Sequence, residues 1–167
     1  IVISGNHDSY LETNPEQGAK IFENYGLTYL QDQTINILGL KIHGSPWSVL
    51  HDGGWHFEKY DDELEAIWEK IPNDIDILLT HTPPYKILDG IAPQHWGSKS
   101  LARRIYRFDN LILHAFGHIH ESRGSKEEAG CNTTFINAAI DPREDGHQPI
   151  LVDLHQDDSK WKVKMVA

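Results

Sequence analysis

Apolar residues recur along this chain in two rhythms, and the rhythm changes wherever glycine, proline or asparagine intervenes. Ile1-Val2-Ile3-Ser4 is an unbroken, mostly β-branched run of the kind buried on both faces, and it predicts a strand ending at Gly5. Asn14-Pro15-Glu16-Gln17 supplies an N-cap, a first-turn proline and a capping-box glutamine, so a helix opens there and closes at Gly26. Residues 33–38 and 40–44 predict a hairpin about Gly39. Leu64, Ile67, Trp68 and Ile71 then fall at i, i+3, i+4 and i+7 behind Asp61, Asp62 and Glu63, an amphipathic helix with its acidic residues at the N-terminal end.

The second half repeats the alternation before changing character. Residues 75–80 predict another buried strand. Leu101, Ile105 and Phe108 mark a third helix capped by Ser98, and residues 111–116 read as a strand again. Residues 133–137, 150–154 and 161–166 are short strands joined by turn-rich segments with no helix between them. The pattern shows no repeat, linker or low-complexity tract, so residues 1–167 read as one mixed α/β domain. No Met, leader or edge-protecting charge precedes Ile1, and the sequence is expected to be a piece of a longer protein cut at a central strand.

Composition narrows the class. A net charge of −10 argues against nonspecific nucleic-acid binding, which needs a basic stripe that is absent. No apolar run approaches the roughly 20 residues that cross a bilayer. The single cysteine, Cys131, cannot build an internal disulfide framework and favours a reducing compartment, so a cytoplasmic location is expected. The 11 histidines change the picture more: protonating all of them would cancel the acidic excess, so the chain is acidic only while its imidazoles stay neutral, the form that binds metal.

Three of the predicted strands run out into segments bearing histidine. They are Gly5-Asn6-His7-Asp8, Thr80-His81-Thr82-Pro83-Pro84 and Gly117-His118-Ile119-His120-Glu121. In open α/β sheets the functional crevice lies beyond the carboxyl ends of the strands, so endings distant in sequence can converge. Neutral imidazole and an amide oxygen are compatible ligands for divalent first-row metals. Each segment alone has a plainer reading: His118 and His120 share a face if the segment is extended, His81 can satisfy a loop carbonyl, and Gly5 to Asp8 can be an ordinary turn.

Taken together, these segments resemble the later motifs of the calcineurin-like metallophosphoesterase superfamily. Gly44-Ser45-Pro46-Trp47, Phe116 to Glu121 and Phe135-Ile136-Asn137-Ala138 further resemble its metallophosphoesterase-domain-containing (MPPED) branch. The resemblance covers nearly the whole chain. It implies a two-layer β-sandwich flanked by helices, incomplete at the N-terminus, and two divalent metals that hydrolyse a small phosphate ester through an activated water. By position, Asn6, His81 and His118 would hold the second metal, His120 would belong to the first, and His7 would protonate the leaving group. The chemistry admits Mn, Fe, Zn or Ni. An earlier Asp-x-His and a Gly-Asp carrying the bridging carboxylate belong to the superfamily pattern and are not in this sequence, so the 167 residues alone are expected to bind metal weakly and hydrolyse little or nothing.

Other residues take structural readings. Asp8 either orients His7 or caps the next segment. His43, His95, His114, His147 and His155 are read as structural, and His51, His56, Trp47 and Trp55 as loop residues that could edge the site. Arg103, Arg104 and Arg107 are read as a solvated helix face, and Cys131 as inert. Two other function classes remain: a catalytically weak binding or scaffold protein retaining the fold, and a mononuclear zinc hydrolase using His81, His118 and His120.

Overall fold

The computed structural model describes residues 1–51, 53–90, 92–128, 130–141 and 148–166. Two short helices open the chain, α1 (Ser9–Thr13) and α2 (Pro15–Asn24). A hairpin follows, β1 (Gln33–Ile37) and β2 (Leu40–Ser45). Leu38 and Gly39 at its tip both have positive φ, 55° and 88°, the turn geometry whose twist matches paired strands. Two-residue strands β3 (Ser48–Val49) and β4 (Glu58–Lys59) pair in parallel and lead into helix α3 (Asp61–Trp68). Strand β5 (Ile77–Thr80), helix α4 (Lys99–Ile105) and strand β6 (Leu113–Phe116) come next. A single 3-10 turn, His120–Ser122, precedes β7 (Gly124–Glu127) and β8 (Thr134–Asn137), and the ribbon β9 (Val152–Asp157) and β10 (Lys160–Met165) ends the chain.

Six strands form the central sheet in the order β1-β2-β5-β6-β8-β7. The inner pairings are parallel and the two edge pairings antiparallel. Parallel strands are buried on both faces, which explains their near-continuous apolar sequences. Leu78 and Phe135 face α3 and α4, packing with Leu64, Trp68, Leu101 and Ile105. Ile42, Ile77, Leu113 and Ile136 face the other way and are covered by Val152, Leu154, Trp161 and Val163 of the ribbon. Among the described residues, the second layer over that face is this two-stranded ribbon, and no helix is long and apolar enough to cross a membrane.

Several expectations need correction. Residues 1–4 make one parallel bridge, Val2 to Tyr29, rather than a strand of the central sheet. Their pairing stops at Val2 N donating to Thr28 O (2.8 Å) and Leu30 N donating to Val2 O (2.9 Å). Ile3 and Leu30 lie over Gly44, where an added Cβ would stand 2.8 Å from Ile3 Cγ2 and 2.5 Å from Leu30 Cβ. The capping box at Asn14 does not form, because the Asn14 amide turns back to Tyr10 O and Thr13 Oγ1. Arg104 is no solvated side chain: it is buried and donates to the carbonyls of Trp68 and Ile71 and to Asn73 Oδ1, satisfying the C-terminal end of α3. Arg103 and Arg107 do pair on the surface, with Glu65 and Glu69.

Candidate active site

Because β2, β5, β6 and β8 run parallel, their carboxyl ends open on one side of the sheet. The loops after β5 and β6 carry His81 and His118, and the turn after residues 2–4 brings Asn6 and His7 to the same place. A groove of about 430 Å³ there is lined by Gly5, Asn6, His7, His81, Gly117 and Ala138, among others. A larger cleft, about 820 Å³, lies at the opposite strand ends against Asp76, Cys131 and Trp161. No histidine lines it, which leaves the smaller groove as the candidate site.

Asn6 and His81 meet in it, and His118 lies against His81. His81 Nε2–H donates to Asn6 Oδ1 at 2.8 Å, the tautomer following from the acceptor that faces it. The His81 and His118 rings lie 4.7 Å apart. Gly5 makes the approach possible, since a Cβ on it would stand 2.5 Å from His81 Cε1. His118 has φ +70° and follows a tie from Gly117 N to His81 O (3.1 Å), so the two histidine loops are joined through the backbone. His118 and His120 therefore do not share the face of an extended segment: one is left-handed and the other begins the 3-10 turn. His120 Nδ1 faces Asp141 Oδ2 at 3.8 Å.

Burial keeps these imidazoles neutral. It drives the pKa of His81 down to about 3, with His118, His7 and His120 adding repulsion, and that of His118 down to about 4, with His51, His120 and His7 adding theirs. Asn6, His7 and His81 thus line the groove, the His118 ring lies against His81, and His120 follows two residues on, facing Asp141.

The set fits a divalent cation. With its proton moved to Nδ1, His81 Nε2 offers a lone pair beside Asn6 Oδ1, and the 2.8 Å between the two atoms is a separation that two ligands of one ion can share. Among the described residues no three His, Cys, Asp or Glu side chains converge as a metal site; the candidate set is two imidazoles and one amide oxygen.

The surrounding residues depart from several expectations. Asp8 neither orients His7 nor caps α1 with its side chain; its Oδ2 accepts from Gly5 N (2.7 Å) and closes the turn that presents Asn6 and His7. Trp55, 53% exposed, lies edge-on to His7 at 4.5 Å, whereas Trp47 packs on buried Phe57 and donates to Asp32. His56 is bound to Glu12, and His51 to Trp96 O with its ring against that indole. His114 is only half satisfied: Nε2–H donates to Thr80 Oγ1, which donates onward to Thr82 O, and Nδ1 finds no partner among the described residues. His147 and Asp52 lie outside the described residues.

Sequence reasoning missed two supporting groups. Asn137, in the Phe135-Ile136-Asn137-Ala138 segment, is fully buried and bonds the loops that carry Leu88 and Ile119. Ser122 joins the same two loops through Gly90.

Comparison with known proteins places the chain in a family. The sequence profile of the calcineurin-like phosphoesterase family matches residues 1–122. A UPF0046 protein of Caenorhabditis elegans is 34% identical over 151 residues, 83% of this chain and 51% of its own length. Metallophosphoesterase domain-containing protein 1 of Homo sapiens is 36% identical over 131 residues, 75% of this chain and 39% of its length. The chain therefore spans about half or less of these relatives. A solved structure aligns with a TM-score of 0.62 at 21% identity, covering 83% of this chain and 56% of that one, a likeness in fold alone. The chain belongs to the calcineurin-like phosphoesterase family, in its metallophosphoesterase-domain-containing (MPPED) branch.

Proposed function

We propose that this chain is the C-terminal portion of a metal-dependent phosphodiesterase domain acting on a small phosphate ester. Calcineurin-like phosphoesterases generally use divalent metals, and the observation that carries the reading is the meeting of Asn6 Oδ1 with His81 Nε2 and of the His81 ring with that of His118, both imidazoles being neutral. A bound divalent pair, of Mn, Fe, Zn or Ni, would neutralise phosphoryl charge and activate water. Asn6, His81 and His118 would hold one ion and His120 would contribute to the other. The remaining ligands and the bridging carboxylate would come from an Asp-x-His and a Gly-Asp outside this sequence.

His7 is the proposed proton donor. It is exposed at the mouth of the groove, next in sequence to Asn6, and Trp55 limits where its ring can turn. In this role it donates a proton to the leaving oxygen as the ester bond breaks. The net charge of −10 supports a small substrate rather than nucleic acid or an anionic membrane, and the single cysteine supports a cytoplasmic location.

The test is Mn2+-dependent hydrolysis of bis(p-nitrophenyl) phosphate by the 167-residue chain and by a form extended at the N-terminus. Activity that appears with the extension and vanishes with His81→Ala supports the reading. Metal binding without turnover in both forms favours the scaffold alternative.

A further inference from the structure

His118 occupies a backbone conformation that costs a non-glycine residue roughly 1–2 kcal/mol and persists only where its surroundings impose it. Two bonds flank it. Before it, Gly117 N donates to His81 O at 3.1 Å; after it, Ile119 O accepts from Asn137 Nδ2 at 2.8 Å. Asn137 is the last residue of β8 and lies in register with Phe116, the last residue of β6, so it stands where the chain leaves the sheet to form the His118 loop. It is fully buried, and every polar position of its amide is used. The second Nδ2 hydrogen goes to Leu88 O (2.9 Å), and Oδ1 accepts from Ala139 N (2.9 Å).

Those bonds tie the His118 loop to the loop before α4. Leu88 and Gly90 sit in that loop, which Asp89 closes by accepting from Lys86 N (2.9 Å), Gly97 N (3.1 Å) and His95 Nδ1 (2.7 Å). Ser122 adds a second tie two residues beyond His120: its Oγ accepts from Gly90 N and donates to Gly90 O. The His118 loop is therefore held against a rigid neighbour from both sides of the 3-10 turn.

We propose that Asn137 is a positioning residue for the metal-binding histidine His118: its buried amide fixes the left-handed backbone that points the imidazole toward His81 and Asn6. This rests on the functional reading above. Asn137 acts on His118 through the backbone of the next residue, and for comparison loss of a partner that bonds the ligand ring itself typically weakens metal binding 10- to 100-fold.

The experiment is a Zn2+ titration followed by the imidazole nitrogen resonances of His81 and His118, with no substrate present. In the unaltered chain both rings should respond. Asn137→Ala should weaken zinc binding about tenfold or more, with the His118 response lost or displaced while His81 still responds. A merely structural role would weaken both rings together, and that result, or unchanged affinity, overturns the proposal. If neither the unaltered chain nor its N-terminally extended form takes zinc, the functional reading fails and this one with it. Should Asn137→Ala not fold, Ser122→Ala removes only the neighbouring tie, and it must show the same His118-selective loss, about threefold; wild-type behaviour there overturns the proposal equally.

Discussion

The imidazole of His81 lies directly over the α-carbon of Gly5, so that a Cβ placed on Gly5 would stand 2.5 Å from Cε1, 2.6 Å from Nδ1 and 2.8 Å from Nε2. All three distances are shorter than real side chains tolerate, and the ring cannot tilt away without leaving Asn6 Oδ1. Gly5→Ala is therefore expected to lower divalent-metal affinity at least tenfold while costing the fold about 1–3 kcal/mol. Calorimetric metal titration beside urea unfolding separates the two; an alanine variant with unchanged affinity would show that the His81 position is not set by this contact.

Arg104 donates to Trp68 O, the last carbonyl of α3, to Ile71 O just beyond it, and to Asn73 Oδ1. Removing the guanidinium takes the donor from buried Ile71 O, at about 1–3 kcal/mol, and the packing of the side chain with it, while Trp68 O keeps its bond from Ile71 N. Arg104→Met should destabilise the protein by about 3 kcal/mol in urea, whereas Arg103→Ala, which breaks only an exposed pair with Glu65, should change it by less than about 1 kcal/mol. Equal effects from the two would contradict the burial of Arg104.

Acid should weaken the fold through histidines that burial keeps neutral. His114 is held down to about 3 and His43 to about 4, each by burial first. In the unfolded chain both take a proton near 6.5, which the folded state refuses, so their contribution is complete above that value and is lost as pH falls from 6.5 toward 4 and 3. Between pH 7.5 and 5.0 each should remove about 2 kcal/mol of stability. His114→Gln, which can still donate to Thr80 Oγ1, should lose about 2 kcal/mol less over that interval. A drop identical to that of the unaltered chain would place the sensitivity elsewhere.

His7 as proton donor makes a prediction about leaving groups. In an N-terminally extended, active form, His7→Ala should slow hydrolysis of an alkyl ester 100-fold or more, because an alkoxide leaves poorly without a proton. An ester of p-nitrophenol needs that proton far less and should slow by about tenfold or under. Equal losses on both esters would give His7 a binding role instead.

Much of the fold was legible because parallel strands buried on both faces must be apolar throughout, as residues 77–80 and 113–116 are, and because Gly39 marks a tight hairpin tip. The polar strand Gly124–Glu127 was not, since an edge strand carries no core pattern. Convergence of Asn6, His81 and His118 could be anticipated from three strand endings alone, but the manner could not. The left-handed His118 depends on bonds from residues 81 and 137, and nothing in Gly117-His118-Ile119 announces them. Arg104 has the same spacing as a solvated arginine, and only the neighbouring helix end decides otherwise.

The central claim is that Asn6, His81 and His118 form one divalent-metal half-site. Its most direct test is the Zn2+ affinity and stoichiometry of the chain, measured by calorimetry beside Asn6→Ala and His81→Ala. The account predicts one weakly bound ion per chain, with each substitution lowering affinity at least tenfold. Zinc binding left unchanged by Asn6→Ala and His81→Ala would contradict it.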